Sequence, residues 1–472
     1  MTPAAAARRP VKLLPPMFTS PRLSKGLRMI REAASGRPPR VAVLALLLSA
    51  SAHAGGPPRA AKGGLSARLP AAVAEAQKLV EKVRGVPFHG AVASGVLPEK
   101  ELARVLEKKI AEDLPVPFER YAASLAALGL VTPEADLKRR MTRLYTRQVA
   151  GFYDPEEKKF FVVPERSDEA ARAAAGFGLS ADKLMEEALL THELMHALQD
   201  QQLDLTKRMK ALREDSDAML ALQAFLEGEA TVVMMEALLT RLPPEIREQT
   251  STEALLASMA KLAVGGLEGA EGVPKYFVKE LLFPYTEGTA WIEKRRAAGG
   301  WAAVDEVYGR LPRTTAEILD PSRYGAERRL LPFAALPSSE DLPGGTRMLY
   351  LDRLGAFTLE CLLTTAGATD AGGLARAWHD DRILFYEEAR QPAGPVGFVW
   401  RLRLASADDA RKLATILASW FAETASSPAE ARADGDVVRV SLRPAREARR
   451  PAPQRRAPVT SPKGASAPAA GR

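Results

Sequence analysis

Along the first third of the chain, apolar positions recur at helical spacing. Leu69, Val73, Ala76, Leu79, Val80 and Val83 share one helix face, and Leu102, Val105, Leu106 and Ile110 share another. Pro98 followed by Glu99 and Glu101 suits a helix first turn, where the missing N–H costs little and acids complement the dipole. The pattern is helical from about residue 65 to 147 and changes at Val149. The stretch VAGFYDPEEKKFFVVPE reads as a β-hairpin, two aromatic and β-branched runs around a turn at Asp154-Pro155. Ser180 is a good N-cap for a long helix over residues 181 to about 202. A second long helix is predicted over about 215–242, with further helical patterns at 251–262, 275–296 and 302–308.

Near residue 342 the texture changes again. A helix around 354–363, strands at 383–386 and 398–404, a helix at 407–421 and a hairpin turning at Asp434-Gly435 are predicted. The expected class is α+β: a predominantly helical domain over 65–340 with a β-hairpin edge, then a small α+β domain over 342–445. No internal repeat is present.

Composition alters this picture at the termini. The 472 residues are 46% hydrophobic and 26% charged, ordinary for a globular protein. The net charge of +8 arises at the ends, because residues 55–442 hold 49 basic and 56 acidic side chains. An acidic body with basic ends does not match a nucleic-acid-binding fold. The 12-residue apolar run at 41–52 is too short to span a bilayer, follows Arg31, Arg37 and Arg40, and ends at Ala52-His53-Ala54. These features predict a signal peptide over 1–54, cleavage near Ala54, and export to the periplasm or beyond with no stable transmembrane span. A start at Met29 gives a signal of normal length, which makes residues 1–28 an extension. Residues 55–64 read as a Gly/Pro linker and 446–472 as a disordered basic tail. The single cysteine, Cys361, beside Leu359 and Leu362, reads as a small buried hydrophobe.

The chemistry centres on THELMHALQDQ. His192 and His196 are four residues apart, so on a helix both imidazoles project from one face and can reach one zinc ion. Glu193 sits about 100° round the helix, turned toward an open coordination position, as a general base requires. The other three histidines, His53, His89 and His379, have no metal-ligand spacing. A catalytic zinc needs a third protein ligand, and no histidine follows at short spacing, so a carboxylate from the next helix is expected. Glu227, Glu229 and Glu236 all lie there in an apolar context. Glu227 and Glu229 point to opposite sides, and periodicity does not choose between them. Gly228 permits close approach of another helix. Asp200 and Thr231, each four residues beyond a ligand position, are candidates to orient a ligating histidine. Asp381 and Arg382 in AWHDDR are expected to pair with each other.

HELMH followed by LEGEAT resembles the gluzincin clan of zinc metallopeptidases. The resemblance implies a zincin-like catalytic domain, one Zn2+ per chain, and Glu227 as third ligand beside His192 and His196. The stretches GFYDP, FLEGEAT, FPYTEG and AWHDDRILFY look similar to exported bacterial and archaeal proteins of this type, over about residues 145–420. Where that similarity implies His-Pro, this chain has Asp320-Pro321. It also implies a downstream Tyr or His at the oxyanion, for which Tyr285 is the candidate, and an edge strand binding extended peptide, for which residues 159–163 are placed. Two function classes follow. One is a zinc peptidase acting on peptide or protein substrates with Glu193 as base; the other is an exported zinc-binding protein without proteolytic activity. Oligomeric state is not legible.

Overall fold

The computed structural model describes residues 65–132, 134–166, 181–241, 270–425 and 428–444. The signal segment, the Gly/Pro linker, the Ser180 cap, the 251–262 helix and the basic tail lie outside these residues.

The chain begins with α1 (Leu69–Arg84), which buries the stripe Leu69, Val73, Ala76 and Val80 and stops at Gly85 in the left-handed conformation. Strand β1 (Ala93–Val96) and helices α2 (Glu99–Asp113), α3 (Phe118–Ala127) and α4 (Leu137–Gln148) follow. The hairpin is β2 (Gly151–Asp154) and β3 (Lys159–Val162). Its turn is held by Asp154, whose Oδ1 accepts from the Glu156 N–H at 2.9 Å. The first sheet runs β1-β3-β2, with β1 parallel and β2 antiparallel to β3. This corrects the edge-strand expectation. Residues 159–162 form the central strand, with Phe160 and Val162 fully buried, and β2 is the edge toward the helices that follow. β1 had no signal, because ASGV lacks the alternation that marks a strand.

Two long helices come next, α5 (Ala181–Leu203) and, after the short α6 (Leu205–Ala211), α7 (Ser216–Arg241). α7 is apolar all round, as a central helix must be. By length and composition it is apolar enough to cross a membrane, but it is buried among α1, α5 and later elements. Next are α8 (Lys275–Phe283), a single π-helical turn over Pro284–Gly288, α9 (Thr289–Gly309, broken at Gly299 and Gly300) and α10 (Thr315–Leu319).

The C-terminal part consists of β4 (Thr346–Asp352), α11 (Gly355–Thr365), α12 (Ala371–Arg376), β5 (Trp378–Glu388), β6 (Val396–Leu404), α13 (Ala407–Thr424), β7 (Ala429–Asp434) and β8 (Val437–Leu442). They build an antiparallel sheet of order β4-β5-β6-β8-β7. The protein is thus α+β with helices dominant. The boundary near residue 341 is one of texture, and packing does not follow it. One hydrophobic core runs from Phe118, Leu222 and Phe225 through Phe357 to Trp400 and Phe421. A polar seam ties the same parts together. Asp352 accepts from Ser216 N at 2.8 Å and Ser216 Oγ at 2.6 Å, Arg353 pairs with Asp215, and Asp217 accepts from Thr315 N at 2.9 Å.

Candidate metal centre

α5 and α7 pack face to face and bring the two halves of the motif together. His192 and His196 stand one turn apart on α5, their rings 4.9 Å between centroids and nearly perpendicular. Glu227 approaches from α7. His192 Nε2 lies 3.0 Å from Glu227 Oε2 and 3.2 Å from His196 Nε2, and His196 Nε2 lies 3.4 Å from Glu227 Oε2. Ligands about 2.0–2.2 Å from a tetrahedral zinc stand roughly 3.3–3.6 Å apart, so this triangle is close to the required size. No other group of three such side chains converges among the described residues.

The electrostatics favour a cation here. Burial alone would lower the His196 pKa, but the neighbouring Glu227 carboxylate outweighs it and lifts the value to about 9. Burial would raise the pKa of Glu227, yet the two imidazoles hold it far below the ordinary carboxylate range. Glu193 stays out of the triangle and accepts from the Tyr153 N–H on β2 at 2.9 Å. Burial raises its pKa, with His192 and His196 opposing.

Gln199 orients His196, its Oε1 lying 2.9 Å from His196 Nδ1. The amide cannot be reversed, because its Nε2 donates to two acceptors, Leu226 O at 3.0 Å and Glu229 Oε2 at 2.9 Å. Nδ1 of His196 must therefore carry a hydrogen, and in the neutral ring the Nε2 lone pair faces the triangle. Glu229 is held by Arg84 Nε at 2.7 Å and the Tyr308 hydroxyl at 2.6 Å. Arg84 is 2% exposed, stacks on Trp301 and reaches Asp305. A buried chain thus links α1 to His196, and it turns Glu229 away from the triangle.

Two candidates for orienting a histidine are corrected. Asp200 accepts from the Tyr153 hydroxyl, Lys158 and the Leu205 N–H, so it anchors the hairpin and the start of α6. The Thr231 hydroxyl is buried and makes no hydrogen bond. Gln199 was missed, although a glutamine three residues beyond a proposed ligand in a buried run is a usable signal. Arg84 gave none. Glu236 pairs with Arg296 on the far side of α7. His89 is exposed, and His379 lies against Arg323.

Tyr285 does reach the site. Its ring stacks 6.2 Å from that of His192, and its hydroxyl bonds Glu227. The π-turn that carries it crosses α7 at Gly228 and Gly288, where a Cβ on either would overlap the other backbone. Gly228 therefore serves this turn, not the contact of α5 with α7. π-turns of this kind recur at functional sites. Asp320 caps the turn Pro321–Arg323 by accepting from Ser322, and it does not line the site. The Asp381 carboxylate does not pair with Arg382, whose side chain donates to the Asp381 carbonyl instead. The carboxylate is buried and accepts from Trp378, Trp400 and the first N–H groups of α11.

Beside the triangle opens a cavity of about 540 Å³, with Glu227 and Tyr285 in its wall. Ile110, Phe118, Met141, Leu220, Phe277 and Leu281 make it largely apolar. Its size is that of a small-molecule or side-chain pocket.

No family model and no curated protein matches the chain. A solved structure of a proposed hydrolase with a novel fold, from Chloroflexus aurantiacus, is similar at 19% identity and a TM-score of 0.36. The match covers 60% of this chain and 96% of that one. A likeness of that strength carries neither fold nor activity across.

Proposed function

We propose that this protein is a zinc-dependent peptidase of gluzincin type, exported after removal of its N-terminal segment. The observation that carries the reading is the convergence of His192 Nε2, His196 Nε2 and the Glu227 carboxylate, with Glu193 beside them but not among them. The donor set of two imidazoles and one carboxylate is the one a catalytic zinc takes with a position left open. When bound, zinc supplies Lewis acidity and lowers the pKa of water beside it to about 7.

The chain's own residues then have separate tasks. Glu193, its proton affinity raised by burial, accepts a proton from the attacking water and delivers it to the leaving amine nitrogen. The edge of β2 receives an extended peptide by strand addition, and the Tyr153 N–H that now serves Glu193 shows that this edge faces the site. Tyr285 stands beside Glu227 and offers a hydroxyl to charge developing on the carbonyl oxygen. The apolar cavity takes a substrate side chain.

The ligand set is tested by metal analysis of the purified protein. One zinc per chain is expected, lost in His192→Ala, His196→Ala and Glu227→Ala and retained in Glu229→Gln. Zinc retained in Glu227→Ala but lost in Glu229→Gln would show that Glu227 is not the third ligand.

A further inference from the structure

The C-terminal sheet carries a row of arginines that the metal site does not use. Arg382 on β5 pairs in register with Arg401 on β6, Arg401 with Arg439 on β8, and Arg439 with Arg432 on β7. Directly opposed residues of antiparallel strands share a face, with Cβ atoms about 4.5–5.5 Å apart. Four guanidinium-bearing side chains therefore stand in one line across four strands, spanning about 14 Å. The face is the one opposite the core, since the flanking residues Trp400 and Leu402 belong to the core cluster.

Like charges directly opposed destabilise a sheet unless something neutralises them. The chain supplies only part of that. Arg401 reaches Asp341 at 2.8 Å, and Arg439 reaches Asp434 at 3.3 Å. Arg382 donates to the Asp381 carbonyl, and Arg432 forms no ion pair among the described residues. Glu430, two residues before Arg432 on the same face, is the remaining acid. Arg401 is 9% exposed, and burial together with Arg439 and Arg432 outweighs Asp341 and lowers its pKa. A cavity of about 280 Å³ opens over Arg401, Arg432 and Arg439, with Ser441 and the carboxylates of Asp341 and Glu430 in its wall.

We propose that this row binds a doubly charged phosphate group, either free inorganic phosphate or a phosphate monoester of a larger molecule. Guanidinium groups on adjacent strands present planar forks to one anion, and the geometry suits bidentate contact with oxyanions. The Ser441 hydroxyl adds a donor, and the depth of Arg401 removes competing water. A carboxylate brings one charge and two oxygens, whereas a phosphate group brings up to two charges and at least three acceptor oxygens.

The test is calorimetric titration of the full protein with inorganic phosphate at ionic strength fixed with chloride, and in a second arm with a sugar phosphate. Saturable binding is expected, weakened about tenfold in Arg432→Gln, an exposed position whose loss leaves folding and zinc content unchanged. Tighter binding of the sugar phosphate identifies a carried anion, and equal or weaker binding a free one. Heat no greater than the chloride background, or binding unaffected in both Arg432→Gln and Arg439→Gln, overturns the proposal.

Discussion

At the residue scale the pair formed by His196 and Glu227 makes its own contribution to how the metal-free protein responds to pH. The His196 pKa is raised from 6.5 to about 9, so its contribution is fully present below 6.5 and is lost as pH rises through about 9. Glu227 is lowered from 4.5, so its contribution is present above 4.5 and is lost only in stronger acid. The pair therefore stabilises the metal-free protein most between 4.5 and 6.5. Zinc takes the neutral imidazole, so uptake at pH 7 must displace the His196 proton. Calorimetry in buffers of different ionisation enthalpy should record about one proton released per zinc bound. Zinc uptake without proton release would contradict the pairing. The HELMH signal was legible because its spacing alone puts both rings on one helix face. The choice of Glu227 over Glu229 was not legible by periodicity, since α7 is buried on every side. What separates them is Arg84, 145 residues from Glu229 in sequence.

At the element scale, the site depends on how closely the π-turn crosses α7. Gly288 lies against the backbone of Ala224, and Gly228 against Gly288 itself, which sets Tyr285 beside His192 and Glu227. Gly288→Ala places a methyl group where only backbone fits. Overpacking of this kind costs about 1–3 kcal/mol. A lower thermal midpoint and weaker zinc retention are expected, and an unchanged protein on both counts would mean that the crossing does not position the site. The helical reading of residues 275–296 came from the apolar period, which continues through the π-turn and therefore conceals it. The hairpin was legible from its aromatic and β-branched runs. Its place in the sheet was not, because β1 pairs through backbone groups that carry no side-chain pattern.

At the scale of the whole molecule, the change of texture near residue 341 reads as a domain boundary, yet the core and the polar seam cross it. α3 packs on β6, and the Trp420 indole donates to Leu128 O at 3.0 Å. A chain ended at residue 340 exposes this surface and leaves Ser216 and Asp215 without their partners. It should lose cooperative thermal unfolding by circular dichroism, and a sharp transition near that of the full protein would show that the N-terminal part folds alone. Sequence patterns report which segments are regular, but not whether two regular regions share one interior. The proposed peptidase function requires a centre that holds zinc with three side chains and moves protons with a fourth. The most direct test is Glu193→Gln in the full protein, with zinc content and peptide turnover measured on the same sample. Zinc content equal to wild type with turnover reduced about 10²–10⁴-fold is the predicted result. Loss of zinc, undiminished turnover, or a zinc-loaded wild type that cleaves no peptide would contradict it.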